Sequence, residues 1–272
     1  MLLVVIIDQY DILYFDMYTK IHPWMFRMPK EYASLLVSIS LLLLCAYIFS
    51  LINLYLVLGL LIAGIIYVKL AQSQYIGNAV RVHGGQFTEL YDVFISHAKK
   101  LGISRASLYI RQDPNLNAFT IGITRCTVVL TSSLVEQFSN DELSFVIGHE
   151  LGHFAAGHTT LSTLINPLGT GNIFANFIFG FWQRKTELTA DRCGLILTND
   201  IDNAISSVIK LSIGGKLYTK MDKESYLQQL SNTQSISVKL SELLLDHPLH
   251  TNRIKSLYVF WKQNFKNKNE MS

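Results

Sequence analysis

Ser139-Asn140-Asp141-Glu142-Leu143-Ser144-Phe145-Val146-Ile147-Gly148-His149-Glu150-Leu151-Gly152-His153 is the stretch on which the reading of this chain turns. Its opening Ser-x-x-Glu is a capping box, so a helix is predicted to start there and to run through His158. A helix turns about 100° per residue, which leaves His149 and His153 only about 40° apart, on one face and one turn from each other. Two imidazoles so placed can grip one zinc ion, and Glu150 between them can act as a general base on an attacking water. The flanks Phe145, Val146, Ile147 and Leu151 are apolar. A charged trio inside such a helix is costly unless it is paired or bound to a metal.

Catalytic zinc needs three protein ligands and one open position. His158 lies nine residues after His149, about 900° on, and on a continuous helix it faces away from the metal. It is read as structural. Glu187, in Glu187-Leu188-Thr189-Ala190-Asp191, is the better third ligand. It shares a face with Asp191 on a second predicted helix, about Gln183–Leu197. Asp191 is then placed to accept a proton from a ligand imidazole and fix its orientation.

Around these helices the pattern is globular. Phe87–Leu101 has helical apolar spacing and stops at Gly102; Ser107–Arg111 reads as a strand. Ala118–Ile123 and Cys126–Thr131 read as a β-hairpin, and three or four more helices fill Ile201 to Phe265. Thr159–Trp182 is uncharged but holds Asn166, Pro167, Gly169, Gly171, Asn172 and Asn176. That is poor material for a membrane span, and it is read as a loop over the site.

Toward the N-terminus, Tyr32 to Val68 contains no charged residue. As one helix it would run roughly 55 Å, against a hydrocarbon core of about 30 Å. Two short spans fit better: Tyr32–Phe49 and Leu54–Leu70, joined by a turn near Ser50–Asn53. One tilted span with a buried extension is the alternative. Lys20, Arg27 and Lys30 precede the stretch, and Lys69 and Arg81 follow it, which places both flanks in the cytoplasm. Trp24, Phe26 and Tyr32 sit where an aromatic belt would lie, or pack on the soluble domain. Met1–Ile7 is too short to span, and it lacks the basic start of a signal peptide.

The organisation expected is therefore an N-terminal cytoplasmic segment (1–31), a transmembrane hairpin (32–70), a metallopeptidase domain (71–265) and a short tail (266–272). Only 16% of the 272 residues are charged, against about 25% in soluble proteins, a shortfall that points to a membrane portion. Net charge is +3, and no long Lys/Arg block suggests nucleic acid. Cys45, Cys126 and Cys193 form neither a disulfide framework nor a zinc knuckle.

VIGHELGHFAAGH, ELTADRCGL and DHPLHTNRIKSL together resemble the membrane-bound gluzincin peptidases, the family of the heat-shock protease HtpX and the CaaX prenyl proteases. The likeness spans about residues 80–262. It implies an α+β, mostly α zincin fold with a small β-sheet, one Zn2+ per chain and endopeptidase activity. It assigns His149, His153 and Glu187 to zinc, Glu150 as general base and Asp191 as support for His149. Asn117-Ala118-Phe119 match the edge strand beside the substrate. His247 and Arg253 match groups near the oxyanion; read by themselves they are a helix cap and a surface charge. The implied partners are polypeptide substrates, misfolded membrane proteins among them, and the lipid bilayer. The implied location is integral to a membrane, the inner membrane in a bacterium. One departure is Gln183-Arg184 where the family often has Ser-Arg. Two short spans cannot enclose a large chamber, so a prenyl-peptide substrate is disfavoured. The competing reading is a non-catalytic, membrane-anchored zinc protein acting as a binding or chaperone module.

Overall fold

The computed structural model describes residues 20–165, 173–222, 225–226 and 249–266. His247 and the ends 1–19 and 267–272 fall outside them.

Helix α1, Glu31–Gly77, holds the long apolar stretch. Its backbone leaves helical geometry at Asn53 (φ −160°, ψ 104°), inside the expected turn. Asn53 Oδ1 accepts from Leu56 N at 3.1 Å, as an N-cap does for a new helix. The chain thus forms two helical arms, 31–52 and 54–77. Among the described residues one segment, Glu31–Leu51, is long and apolar enough to cross a membrane, with mean hydropathy 2.4. Its 21 residues rise about 31 Å, the thickness of a bilayer core. Tyr32, Leu36, Val37 and Tyr47 on it are exposed, more apolar surface than a water-soluble face normally carries.

The sheet has strands β1 (Ala79–Val82), β2 (Ala106–Arg111), β3 (Ala118–Ile121) and β4 (Cys126–Thr131), in the order β1-β2-β4-β3. β2 and β4 run parallel; both outer pairs are antiparallel. The predicted hairpin is β3–β4, paired from Ala118↔Leu130 to Ile121↔Thr127. β1 escaped the sequence reading because four residues directly after a long helix give no periodicity to detect. β4 is buried at every residue, as a central strand must be.

Helices α2 (Thr88–Lys100), α3 (Ser132–Gln137), α4 (Asn140–Ala155), α5 (His158–Ile165), α6 (Ile173–Thr198) and α7 (Ile201–Ile213) follow the chain, with a C-terminal helix at His250–Trp261. The capping box of α4 is present: Ser139 Oγ accepts from Glu142 N at 3.3 Å, and Glu142 Oε2 accepts from Ser139 N at 2.8 Å. Contrary to expectation, α4 stops before His158. Gly157 adopts φ +81°, the left-handed geometry that ends helices at glycine, and α5 begins at the next residue. The expected loop 159–182 is also corrected: most of it is helical, in α5 and α6. Its strongest breakers, Pro167, Gly169, Gly171 and Asn172, all precede Ile173, so α6 meets only Asn176 and Gly180.

α4 and α6 pack at glycine distance. A Cβ on Gly148 would sit 3.0 Å from Gly194 Cα, and one on Gly152 would sit 2.6 Å from Cys193 Cβ. α6 also lies against α1, where Leu35 joins Ile178, Phe179 and Trp182 in a buried cluster. Phe26 is fully buried in the main core with Ile21, so it belongs to the soluble domain; Trp24 and Tyr32 stay exposed.

Candidate metal and catalytic site

The close approach of α4 and α6 brings His149, His153 and Glu187 together. His149 Nε2 and His153 Nε2 are 3.1 Å apart. Glu187 places Oε1 3.3 Å from His153 Nε2 and Oε2 3.6 Å from His149 Nε2. A tetrahedral ion with ligands near 2.05 Å separates its donors by about 3.4 Å, so these spacings suit one zinc. The three donors lie within 4.8 Å of one another, and both His149 and Glu187 are buried. Two imidazole nitrogens and a carboxylate form the donor set of a catalytic zinc site.

Each donor is held from behind. Asp191, one turn beyond Glu187, accepts at Oδ1 from His149 Nδ1 at 2.9 Å, which leaves Nε2 for the metal. Asp191 is gripped in turn by Arg253 through Nε to Oδ2 at 2.8 Å and Nη2 to Oδ1 at 2.6 Å. Burial opposes ionisation of Asp191, yet the Arg253 guanidinium and His149 pull its pKa down to about 2. Burial likewise opposes a charge on His149, but Asp191 and Glu187 hold its pKa up to about 10. The pocket is one that attracts a cation. Arg253 is buried and paired rather than a surface charge, and its Nη1 lies 3.9 Å from Glu187 Oε2.

Glu150, about 100° round α4 from His149, meets the sheet. Thr120 Oγ1, on β3, lies 2.8 Å from Glu150 Oε2 and 3.0 Å from Glu150 O. β3, the terminal strand, therefore runs directly beside Glu150. Asn117 precedes it and is tied to β4 by Asn117 N to Thr131 Oγ1 at 3.0 Å. Ala118 and Phe119 lie in the strand, half-buried.

Sequence reasoning missed three residues. Thr120 is one. His158 is the second: the break at Gly157 turns it back, so that its Nδ1 sits 3.1 Å from His153 Nδ1. A glycine four residues after the motif was the available signal. The third is Glu31, whose Oε1 lies 3.1 Å from His158 Nε2. Nothing local in the sequence links it to residues so far along the chain. Burial pushes the His158 pKa down to about 4 against the pull of Glu31.

Comparison with known proteins agrees with this geometry. A sequence model of Peptidase family M48 matches residues 85–181 and 168–259. The plastoglobule-localized metallopeptidase 48 of Arabidopsis thaliana chloroplasts is 31% identical over 168 residues, 57% of this chain and 49% of that protein. Protease HtpX of Yersinia enterocolitica is 32% identical over 160 residues, 55% of this chain and 51% of its own length. The chain thus spans about half the length of these relatives. The crystal structure of S. mikatae Ste24p shares the fold with a TM-score of 0.50 at 17% identity, over 85% of this chain and 67% of that one.

Proposed function

The chain belongs to Peptidase family M48, and on that footing we propose that it is a membrane-anchored, zinc-dependent endopeptidase. The observation that carries this is the convergence of His149 Nε2, His153 Nε2 and Glu187 on one point, with Glu150 on the same helix next to His149. Zinc, when bound, polarises a substrate carbonyl and makes water more acidic. Glu150 takes the proton of the attacking water and returns it to the leaving amine. Thr120 donates to Glu150 Oε2 and orients that carboxylate. The substrate lies extended along β3, through Asn117, Ala118 and Phe119, held by main-chain hydrogen bonds that tolerate many sequences. Asp191 and Arg253 act from behind the metal by fixing His149. His247 supports the oxyanion from outside the described residues.

The protein is integral to a membrane, with the catalytic domain on the cytoplasmic side and the two arms of α1 crossing as a hairpin. The basic residues on both flanks support that orientation. Polypeptides, including misfolded membrane proteins, are the substrates. The test is casein hydrolysis with and without a chelator, alongside metal analysis. Glu150→Gln is expected to lose cleavage while binding one zinc; a Glu150→Gln protein that still cleaves refutes the role given to Glu150.

A further inference from the structure

The metal site has two rear supports, and they differ in origin. His149 is held from within the catalytic domain by Asp191 and Arg253. His153 is held by His158, which is held in turn from outside the domain. Its Nδ1 faces His158 Nδ1 at 3.1 Å, and His158 Nε2 faces Glu31 Oε1 at 3.1 Å. Glu31 is the first residue of the membrane helix. A carboxylate only accepts, so His158 Nε2 carries the proton and Nδ1 is left as the acceptor. His153 Nδ1 must then donate, which leaves Nε2, the atom turned toward His149 and Glu187, with its lone pair for the metal. With a neutral His158 the hydrogen bonds run in the direction that a zinc ligand needs.

The far end of this chain is firmly seated. Glu31 also receives hydrogen bonds from Arg27 and from Thr189 on α6. Arg27 Nη2 donates to Ala156 O, at the end of the metal-binding helix, at 2.8 Å. Met28 N donates to Thr189 Oγ1 at 2.9 Å. His158 and Glu31 are both almost completely buried, so water cannot replace either partner. We propose that Glu31 and His158 are positioning residues for zinc, through which the foot of the membrane helix fixes the orientation of His153. The inference rests on the metalloprotease reading above and names a regulatory consequence: metal retention depends on how α1 is seated.

The test uses the full chain purified in detergent. Zinc affinity is measured against a chromophoric chelator, and the visible spectrum of the cobalt-substituted protein reports ligand geometry. Loss of a partner behind a ligand histidine weakens metal binding about 10–100-fold. His158→Phe and Glu31→Ala are therefore expected to bind zinc at least about tenfold more weakly, with shifted cobalt bands. Glu31→Gln keeps an oxygen acceptor for His158 but loses the charge facing Arg27. It is expected to melt lower yet to keep zinc affinity and cobalt spectrum close to wild type. A purely structural contact would make the Gln and Ala variants differ in stability alone. Unchanged affinity and spectrum in His158→Phe and Glu31→Ala, or equal metal loss in Glu31→Gln and Glu31→Ala, overturn the inference. A wild-type chain that binds neither metal overturns the metalloprotease reading and this inference with it.

Discussion

Gly152→Ala should separate the metal ligands without touching any of them. The added Cβ would lie 2.6 Å from Cys193 Cβ and 3.0 Å from Cys193 Sγ. Carbon atoms in contact prefer about 3.5–4.0 Å, so α4 and α6 must part by about 1 Å or tilt to the same effect. Gly152 adjoins His153, and Cys193 lies on the helix that carries Glu187. The displacement therefore opens the 3.3 and 3.6 Å spacings between Glu187 and the two imidazoles. Zinc sites tolerate about 0.2 Å in ligand distance, several times less than the forced shift. Overpacking of this kind costs about 1–3 kcal/mol of fold stability. We expect a melting temperature a few degrees lower and zinc affinity reduced by at least about tenfold, since tenfold corresponds to only about 1.4 kcal/mol. Chelator competition reads the affinity and thermal unfolding of the metal-free protein reads the packing. Gly77→Ala, where a Cβ meets nothing within 4 Å, is the control. Cys193→Gly removes both clashing atoms, so the double variant should regain much of the lost affinity. Wild-type zinc affinity in Gly152→Ala would refute the claim that this glycine contact sets the ligand spacing.

Asp191→Asn is expected to weaken zinc binding about 10–100-fold and to destabilise the fold by about 3 kcal/mol, because it takes from buried Arg253 its nearest carboxylate and leaves only Glu187 at 3.9 Å; chelator competition and denaturant titration check the two effects. His97 predicts an acid weakness. Burial, helped by Lys100 and opposed by its hydrogen bond to Ser144, lowers its pKa from 6.5 to about 4. Between those values the unfolded chain binds more protons, so stability falls as pH drops from about 6.5 to 4, by up to about 3 kcal/mol from this group. His97→Leu should flatten that part of the pH–stability curve, and an unchanged slope would refute the assignment. Burial pushes the Cys126 thiol up to about 12 and raises Cys193 too. Peptide mapping after maleimide treatment should find both unmodified in the native chain and modified once it is unfolded.

The parts legible in the sequence are those whose signal is local. The capping box at Ser139 named the start of α4, and the spacing of His149 and His153 placed two ligands on one face of it. Glu187 and Asp191 were readable as a pair because they too sit one turn apart. What stayed hidden depended on events between elements. His158 was assigned to the far side of α4 by a rotation argument that holds only for an unbroken helix, and Gly157 at φ +81° breaks it. Arg253 read alone is a surface charge; its burial against Asp191 is a contact across 62 positions. The start of α6 was set too late because breakers and helix formers were pooled over one stretch, whereas the breakers lie before Ile173. Gly152 was readable as room for close packing near the metal, but Gly148 and its partner Gly194 were not, since their meaning lies in what they allow a neighbouring helix to do.

α6 is the element that makes anchor and catalyst one object. Ile178, Phe179 and Trp182 on it are buried against α1 through Leu35. The next turns carry Glu187 and Asp191 to the metal, and the turn after that meets α4 through Cys193 and Gly194. Thr189 on the same helix bonds to Glu31, so the ligand Glu187 sits between two attachments to the foot of α1. A helix held in this way cannot slide along α1 without changing the distance from Glu187 to His149 and His153. The apolar helix α1 is thus packed into the candidate site rather than tethered beside it. On the proposed reading, metal retention depends on where α1 sits as directly as on the three ligands themselves.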